Sequence, residues 1–310
     1  MRKKIIIGTR SSKLALWQAD YIMERLQQQY PDVEIEKCLM TTKGDKILDA
    51  PLAKIGGKGL FTKELETAML EGEIDIAVHS LKDMPVVVPE GLVITAITER
   101  ENPGDALVSN KYNSFAELPE GAKIGTSSLR RKAQLLHARP DFNIQDLRGN
   151  VNTRLQKLES ENFDAIILAA AGLKRLGFSD RIKEELPKTV CLPAVGQGAL
   201  AVETREDDTE LREMLAFLDD KETRACTITE RAFLAAVEGG CQVPVGVYAI
   251  SPKPGMVKAE AVIASLDGSK LYRDSIEGPA LEGVKLGREL ANKLLDMGGR
   301  DILKEIGIEV

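Results

Sequence analysis

The chain has 310 residues, room for about two domains at roughly 150 residues each, and 43% of them are hydrophobic. Its longest uninterrupted apolar run, residues 165–173, falls short of the ~18 residues a membrane helix needs. Four cysteines (Cys38, Cys191, Cys226, Cys241) without a C-x-x-C pair, and two histidines, give no basis for a disulfide framework or a Cys/His zinc site. A net charge of −6 argues against a general nucleic-acid binder. The opening MRKKIIIGTR runs straight into strand-like sequence with no secretory pattern, so a cytoplasmic location is expected.

The charge is unevenly spread. Residues 1–63 carry 12 basic and 7 acidic side chains and residues 126–175 carry 9 and 5, whereas 64–125 carry 4 and 12 and 176–310 carry 17 and 24. Two locally basic stretches in an acidic protein would focus a field on a small anion if they faced each other.

In chain order, residues 3–8 read as a strand, and a helix follows from Ser11-Ser12 with Leu14, Leu16, Trp17, Tyr21, Ile22 and Leu26 mostly at helical spacing. Residues 33–40 read as a strand, 60–70 as a helix, and 74–78 and 92–97 as strands. Between them, 41–59 is a long Lys/Gly-rich connection, of the kind that is usually functional. A second series follows Pro103-Gly104, with strands at 106–108, 123–125, 142–147 and 165–168 and helices at 129–138 and 151–160. Alternation of this kind implies mostly parallel sheets covered by helices. The strand-like run 198–203 predicts a return of the chain into the first unit, and two crossings would make a hinged cleft. From about residue 222 the texture becomes a helix to 237, strands at 243–250, 257–264 and 270–276 with an Asp267-Gly268 turn, and a closing helix over 284–297.

Gly8-Thr9-Arg10-Ser11-Ser12 and Gly125-Thr126-Ser127-Ser128-Leu129-Arg130-Arg131 place hydroxyls and arginine where helices begin. Free N–H groups and the helix dipole make such junctions anion sites, although each serine alone reads equally well as a cap. Arg148, Arg154 and Arg175 sit at comparable places, and together these arginines predict a polyanionic small ligand. The strand at 74–78 runs into His79-Ser80-Leu81-Lys82-Asp83, at the carboxyl end of a sheet where α/β folds put ligands. Asp83 is a candidate to stabilise a developing cation, or else a turn aspartate before Pro85; His79 reads as structural. The loop Lys54-Ile55-Gly56-Gly57-Lys58-Gly59 lacks the spacing of a phosphate-binding loop, and no G-x-G-x-x-G follows the first strand. Cys241, in Gly239-Gly240-Cys241-Gln242-Val243-Pro244, admits two readings, an inert buried thiol or a reactive, covalently modified one.

These motifs, together with Leu14-Ala15-Leu16-Trp17-Gln18, the segment from Pro51 to Phe61, Leu147-Arg148-Gly149-Asn150 and Leu192-Pro193-Ala194-Val195-Gly196-Gln197-Gly198, closely resemble the porphobilinogen deaminase family, also called hydroxymethylbilane synthases. The resemblance runs from the first strand to the last third of the chain. It implies two α/β lobes like those of type II periplasmic binding proteins, with mixed, mostly parallel sheets, and a small C-terminal α+β domain. The corresponding boundaries are 1–98 with 198–218, 99–197, and 219–310.

By the same resemblance, Cys241 carries a dipyrromethane cofactor through a thioether, and neither metal nor nucleotide is needed. Porphobilinogen loses its amine as ammonia, leaving a methylene-pyrrole cation that the cofactor's terminal ring attacks; repetition and hydrolysis release the linear tetrapyrrole hydroxymethylbilane. Asp83 corresponds to the catalytic carboxylate. Lys82, Asp83, Thr126, Ser128, Arg130, Arg131 and Arg148 correspond to cofactor-binding positions, and Arg10, Ser12, Gln18, Arg148, Arg154 and Arg175 to substrate-binding ones. Lys54, Lys58 and Phe61 fall on a mobile loop. A monomer is expected, with no nucleic-acid or membrane partner. The alternative is a non-catalytic two-lobed binding protein for small carboxylates, which gives Cys241 and Asp83 no task.

Overall fold

The computed structural model describes residues 2–46, 59–237 and 243–308, and the chain divides into two compact units. One comprises Met1–Glu101 and Ala199–Arg224, the other Asn102–Gly198 and Ala225–Val310.

The first unit opens with β1 (Lys4–Arg10) and α1 (Lys13–Gln29). Ala19, Ile22 and Leu26, on one face of α1, pack with Ile5 and Ile7 of β1 in a fully buried cluster. Ser12 caps α1, its Oγ accepting from the Ala15 N–H at 3.3 Å, so the capping reading of this serine holds. After β2 (Glu34–Met40), α2 (Lys63–Leu70) starts three residues later than the pattern predicts. β3 (Ile76–Ser80) passes into a single 3₁₀ turn, Leu81–Asp83, and β4 (Leu92–Ile97) completes this stretch.

The second unit then begins with β5 (Asp105–Val108), β6 (Lys123–Gly125), α3 (Leu129–Ala138), β7 (Asn143–Gln145), α4 (Val151–Ser160) and β8 (Ala165–Ala169). α5 (Ala170–Arg175) and β9 (Ile182–Glu185) were not legible as elements in the sequence. The first hides inside a continuous apolar run. The second, Ile-Lys-Glu-Glu, is an edge strand in which Lys183 and Glu185 are exposed while the half-buried Glu184 accepts from the Phe115 N–H at 2.6 Å. Its sheet has the order β7-β6-β8-β5-β9, with β7, β6, β8 and β9 running one way and β5 against them.

The chain returns to the first unit as β10 (Leu200–Arg205), which lies between β3 and β4 and antiparallel to both. The order is β2-β1-β3-β10-β4, again four strands one way and one against, as a mixed, mostly parallel sheet requires. α6 (Thr209–Leu215) follows, and α7 (Lys221–Ala236) leads back to the second unit. There β11 (Val245–Ile250), β12 (Met256–Ala264) and β13 (Leu271–Pro279) form an antiparallel meander backed by α8 (Gly283–Leu294). The closing helix predicted over 284–297 forms: beyond Leu294 it widens into a π-type turn whose backbone stays helical to Met297, and Gly298, at φ 124°, breaks it before α9 (Arg300–Glu305). Only glycine adopts that φ freely, and a Cβ there would lie 2.5 Å from the Tyr272 hydroxyl.

Candidate active site

β1 and β3 are parallel neighbours, so their carboxyl ends open on one edge of the sheet. A cleft within the first unit lies at that edge, lined by Arg10, Ser12, Gln18, Phe61, His79 and Asp83 among others, with a volume of about 60 Å³. Four of these six, Arg10, Ser12, Gln18 and Asp83, are residues the sequence singles out for binding or catalysis; Phe61 falls on the expected mobile loop and His79 reads as structural. Arg10 ends β1, and its guanidinium lies over the Phe61 ring, 4.3 Å from the centroid. Such a stack holds the planar cation flat against the ring. Gln18 projects from the first turns of α1 and donates from Nε2 to Ser80 Oγ at 2.8 Å. The 3₁₀ turn after β3 presents Lys82 and Asp83, both half-buried.

Behind the cleft is a cluster that the sequence pattern does not reveal. His79 Nε2 is 3.0 Å from Glu203 Oε2, with both side chains buried. Glu66 of α2 is 7% exposed, and its Oε1, like Glu203 Oε1, has no hydrogen-bond partner among the described residues. Burial raises the Glu66 pKa above the ordinary glutamate value; the neighbouring Thr62 hydroxyl and His79 work against this, and the charges of Glu203 and Glu64 add to it. Glu66 sits in a charged stretch of helix and Glu203 in an apolar strand, so only their packing could find them.

The second unit brings Arg130 and Arg131 to one buried carboxylate. Ser128 caps α3 by accepting from the Arg131 N–H, and Thr126 Oγ1 accepts from Ser128 N–H at 3.2 Å, which fixes both arginines in the first turn. Arg130 donates to Asp105 from Nη1 (2.5 Å) and Nη2 (3.2 Å), and Arg131 from Nε (2.9 Å) and Nη2 (2.6 Å). Gln197 Nε2 adds a bond at 3.0 Å. Burial alone would raise the Asp105 pKa, but the two guanidiniums outweigh it and hold the carboxyl far below the usual range. Neither arginine is on a solvated face, and two cations on one carboxylate leave one positive charge over. Cys191, 3.3 Å from Asp105, is buried and its thiol is pushed up to about 12, an inert sulfur. Arg148, Arg154 and Arg175 are half-buried; Arg154 Nε donates to the Gly149 carbonyl at 2.7 Å and Arg175 Nη2 to the Gly198 carbonyl at 2.7 Å.

Residues 5–213 match the family described as "Porphobilinogen deaminase, dipyromethane cofactor binding domain", and residues 224–296 match "Porphobilinogen deaminase, C-terminal domain". A porphobilinogen deaminase from Desulforamulus reducens is 56% identical over 306 residues, covering 99% of each chain. One from Geobacter sulfurreducens is 53% identical over 308 residues, covering 98% of this chain and 95% of that one. The chain belongs to the porphobilinogen deaminase family.

Among solved structures, the methionine-binding protein MetQ aligns with a TM-score of 0.46 at 15% identity, over 76% of this chain and 94% of that one. The carboxylate-binding-protein alternative has only likeness of that kind behind it. The first unit gathers Arg10, Ser12, Gln18, Phe61 and Asp83 around one cleft. Cys241, Lys54 and Lys58 lie outside the described residues.

Proposed function

We propose that the protein consumes porphobilinogen, eliminating ammonia stepwise, and builds a linear tetrapyrrole on a dipyrromethane held by Cys241, with hydrolytic release of hydroxymethylbilane. The observation that carries this reading is the cleft that gathers Asp83 with Arg10, Ser12 and Gln18, in a chain of this family. The Asp83 carboxylate stabilises the positive charge that grows on the pyrrole as ammonia departs, a task for fixed charge in a partly dry site. Arg10, held flat by Phe61, takes a substrate carboxylate in bidentate fashion. Ser12 and Gln18 shape the same wall. Arg148, Arg154 and Arg175 hold further acetate and propionate groups.

The residues fit an acidic cofactor. The buried Arg130/Arg131 pair has one positive charge in excess of Asp105, and Lys82 adds another cation beside Asp83. Thr126 and Ser128 act by fixing the two arginines at the start of α3. When bound, the dipyrromethane supplies the pyrrole α-carbon to which the first unit is joined. The three-domain division at 1–98 with 198–218, 99–197 and 219–310, a monomeric state and a cytoplasmic location belong to the same proposal. Among the described residues, no helix is long and apolar enough to cross a membrane.

Intact-mass analysis with peptide mapping, paired with turnover of Asp83→Asn, tests the reading. An added mass of two deaminated porphobilinogen units on Cys241, and turnover in the variant lowered by roughly 10²–10³-fold as for loss of a key electrostatic partner, are expected. An unmodified chain that stays inactive with porphobilinogen, or near wild-type turnover by Asp83→Asn, refutes it.

A further inference from the structure

The mechanism above leaves unused the buried cluster of Glu66, Glu203 and His79 in the first unit. Three elements supply it: α2 gives Glu66, β10 gives Glu203, and β3 gives His79, which also lines the cleft holding Asp83. Glu203 is fully buried and Glu66 nearly so, and each has a carboxyl oxygen with no hydrogen-bond partner among the described residues. Two ionised carboxylates so placed would be a desolvated pair of like charges, an arrangement proteins avoid by keeping a proton. The remaining charge is then met by the His79 N–H at 3.0 Å.

We propose that Glu66, acting through Glu203, is a positioning residue for the His79 imidazole at the wall of the Asp83 cleft, with one proton retained on the carboxyl pair. Glu66 is the member that keeps it, since burial and the neighbouring charges of Glu203 and Glu64 raise its pKa despite the opposing Thr62 hydroxyl and His79. With Glu66 neutral, the bond between Glu203 and His79 Nε2 holds the ring in one orientation at the wall of the cleft that Asp83 also lines. Loss of the Glu66 proton at higher pH places a second charge behind the ring, reorienting it and lowering turnover. The link to turnover rests on the proposed reaction at this cleft; the proton on Glu66 does not.

The experiment reads both parts in the holoenzyme. The chain has two histidines, so ring-proton NMR resolves His79 with His137, in the other unit and bonded to the Gly268 carbonyl, as internal control. In Glu66→Gln, which keeps shape and cannot ionise, the His79 resonance should lose an inflection present in wild type while His137 is unchanged. The kcat profile for porphobilinogen should keep its low-pH plateau within about threefold and move its alkaline limb up by about one pH unit or more. Glu203→Gln should displace the His79 resonance at every pH, and wild-type circular dichroism with a cooperative melt shows that each variant is folded. Identical His79 titrations in wild type and Glu66→Gln overturn the retained proton. A changed titration with an unmoved kcat profile overturns the positioning role and leaves the proposed reaction standing, since that reaction fails on Asp83→Asn instead.

Discussion

Replacing Asp105 by Asn takes away the carboxylate that Arg130 and Arg131 share while keeping its shape. Four guanidinium bonds between 2.5 and 3.2 Å and the Gln197 bond at 3.0 Å end on this side chain, which is fully buried. The amide brings two donors of its own against these donors and leaves two buried cations uncompensated. Breaking a buried pair in this way costs about 3–5 kcal/mol. At about 2 °C per kcal/mol for a chain of this size, the second unit should melt roughly 6–10 °C lower. Denaturant and thermal unfolding followed by circular dichroism provide the assay. The folded carboxyl titrates far below the unfolded one, so its contribution is complete above about pH 4 and fades as pH falls toward the folded value. The gap between wild type and Asp105→Asn should therefore be widest near neutrality and narrow below about pH 4. A variant within about 1 kcal/mol of wild type at pH 7, or a gap that widens on acidification, would refute the assignment of Asp105 as the anchor.

Phe61→Ala removes the ring under Arg10 and should raise KM for porphobilinogen by about 2–5-fold, the worth of an exposed cation–π contact, with kcat nearly unchanged in steady-state kinetics. Gly8→Ala puts a Cβ 2.4 Å from Ile74 Cδ1 and 2.9 Å from Leu65 Cδ2, so denaturant titration should report a loss of about 1–3 kcal/mol in the first unit. Arg148→Leu should purify folded but without the full added mass on Cys241, and a fully loaded, active variant would remove Arg148 from the proposed cofactor set.

Elements that carry their own punctuation were readable before any coordinates. Leu129–Ala138 and Val151–Ser160 match the residues predicted because Ser128 and Asn150 cap them and their apolar positions repeat at helical spacing. The return of β10 was legible from a short apolar run alone, though not its place between β3 and β4. The closing helix is predicted to end at 297, one residue before the break at Gly298, whereas β9 was missed because an edge strand can be mostly charged. At the site, strand-end and helix-start residues such as Arg10, Ser12 and Asp83 stand out locally. Asp105, Glu66 and Glu203 do not: Arg130, bonded to Asp105, and His79, bonded to Glu203, lie 25 and 124 residues away from them, and Glu66 reads in sequence as one more charge on a polar helix.

The interior position of β10 also sets a schedule for synthesis. β3 and β4, made early, find their shared neighbour only after about 100 further residues have been added. At roughly 5–20 residues per second, that interval is roughly 5–20 s during which two strand edges of a nascent sheet stay unpaired. A chain built this way depends on something to guard those edges while it waits, and its yield on expression should respond to translation speed through residues 102–198 more than through the final hundred.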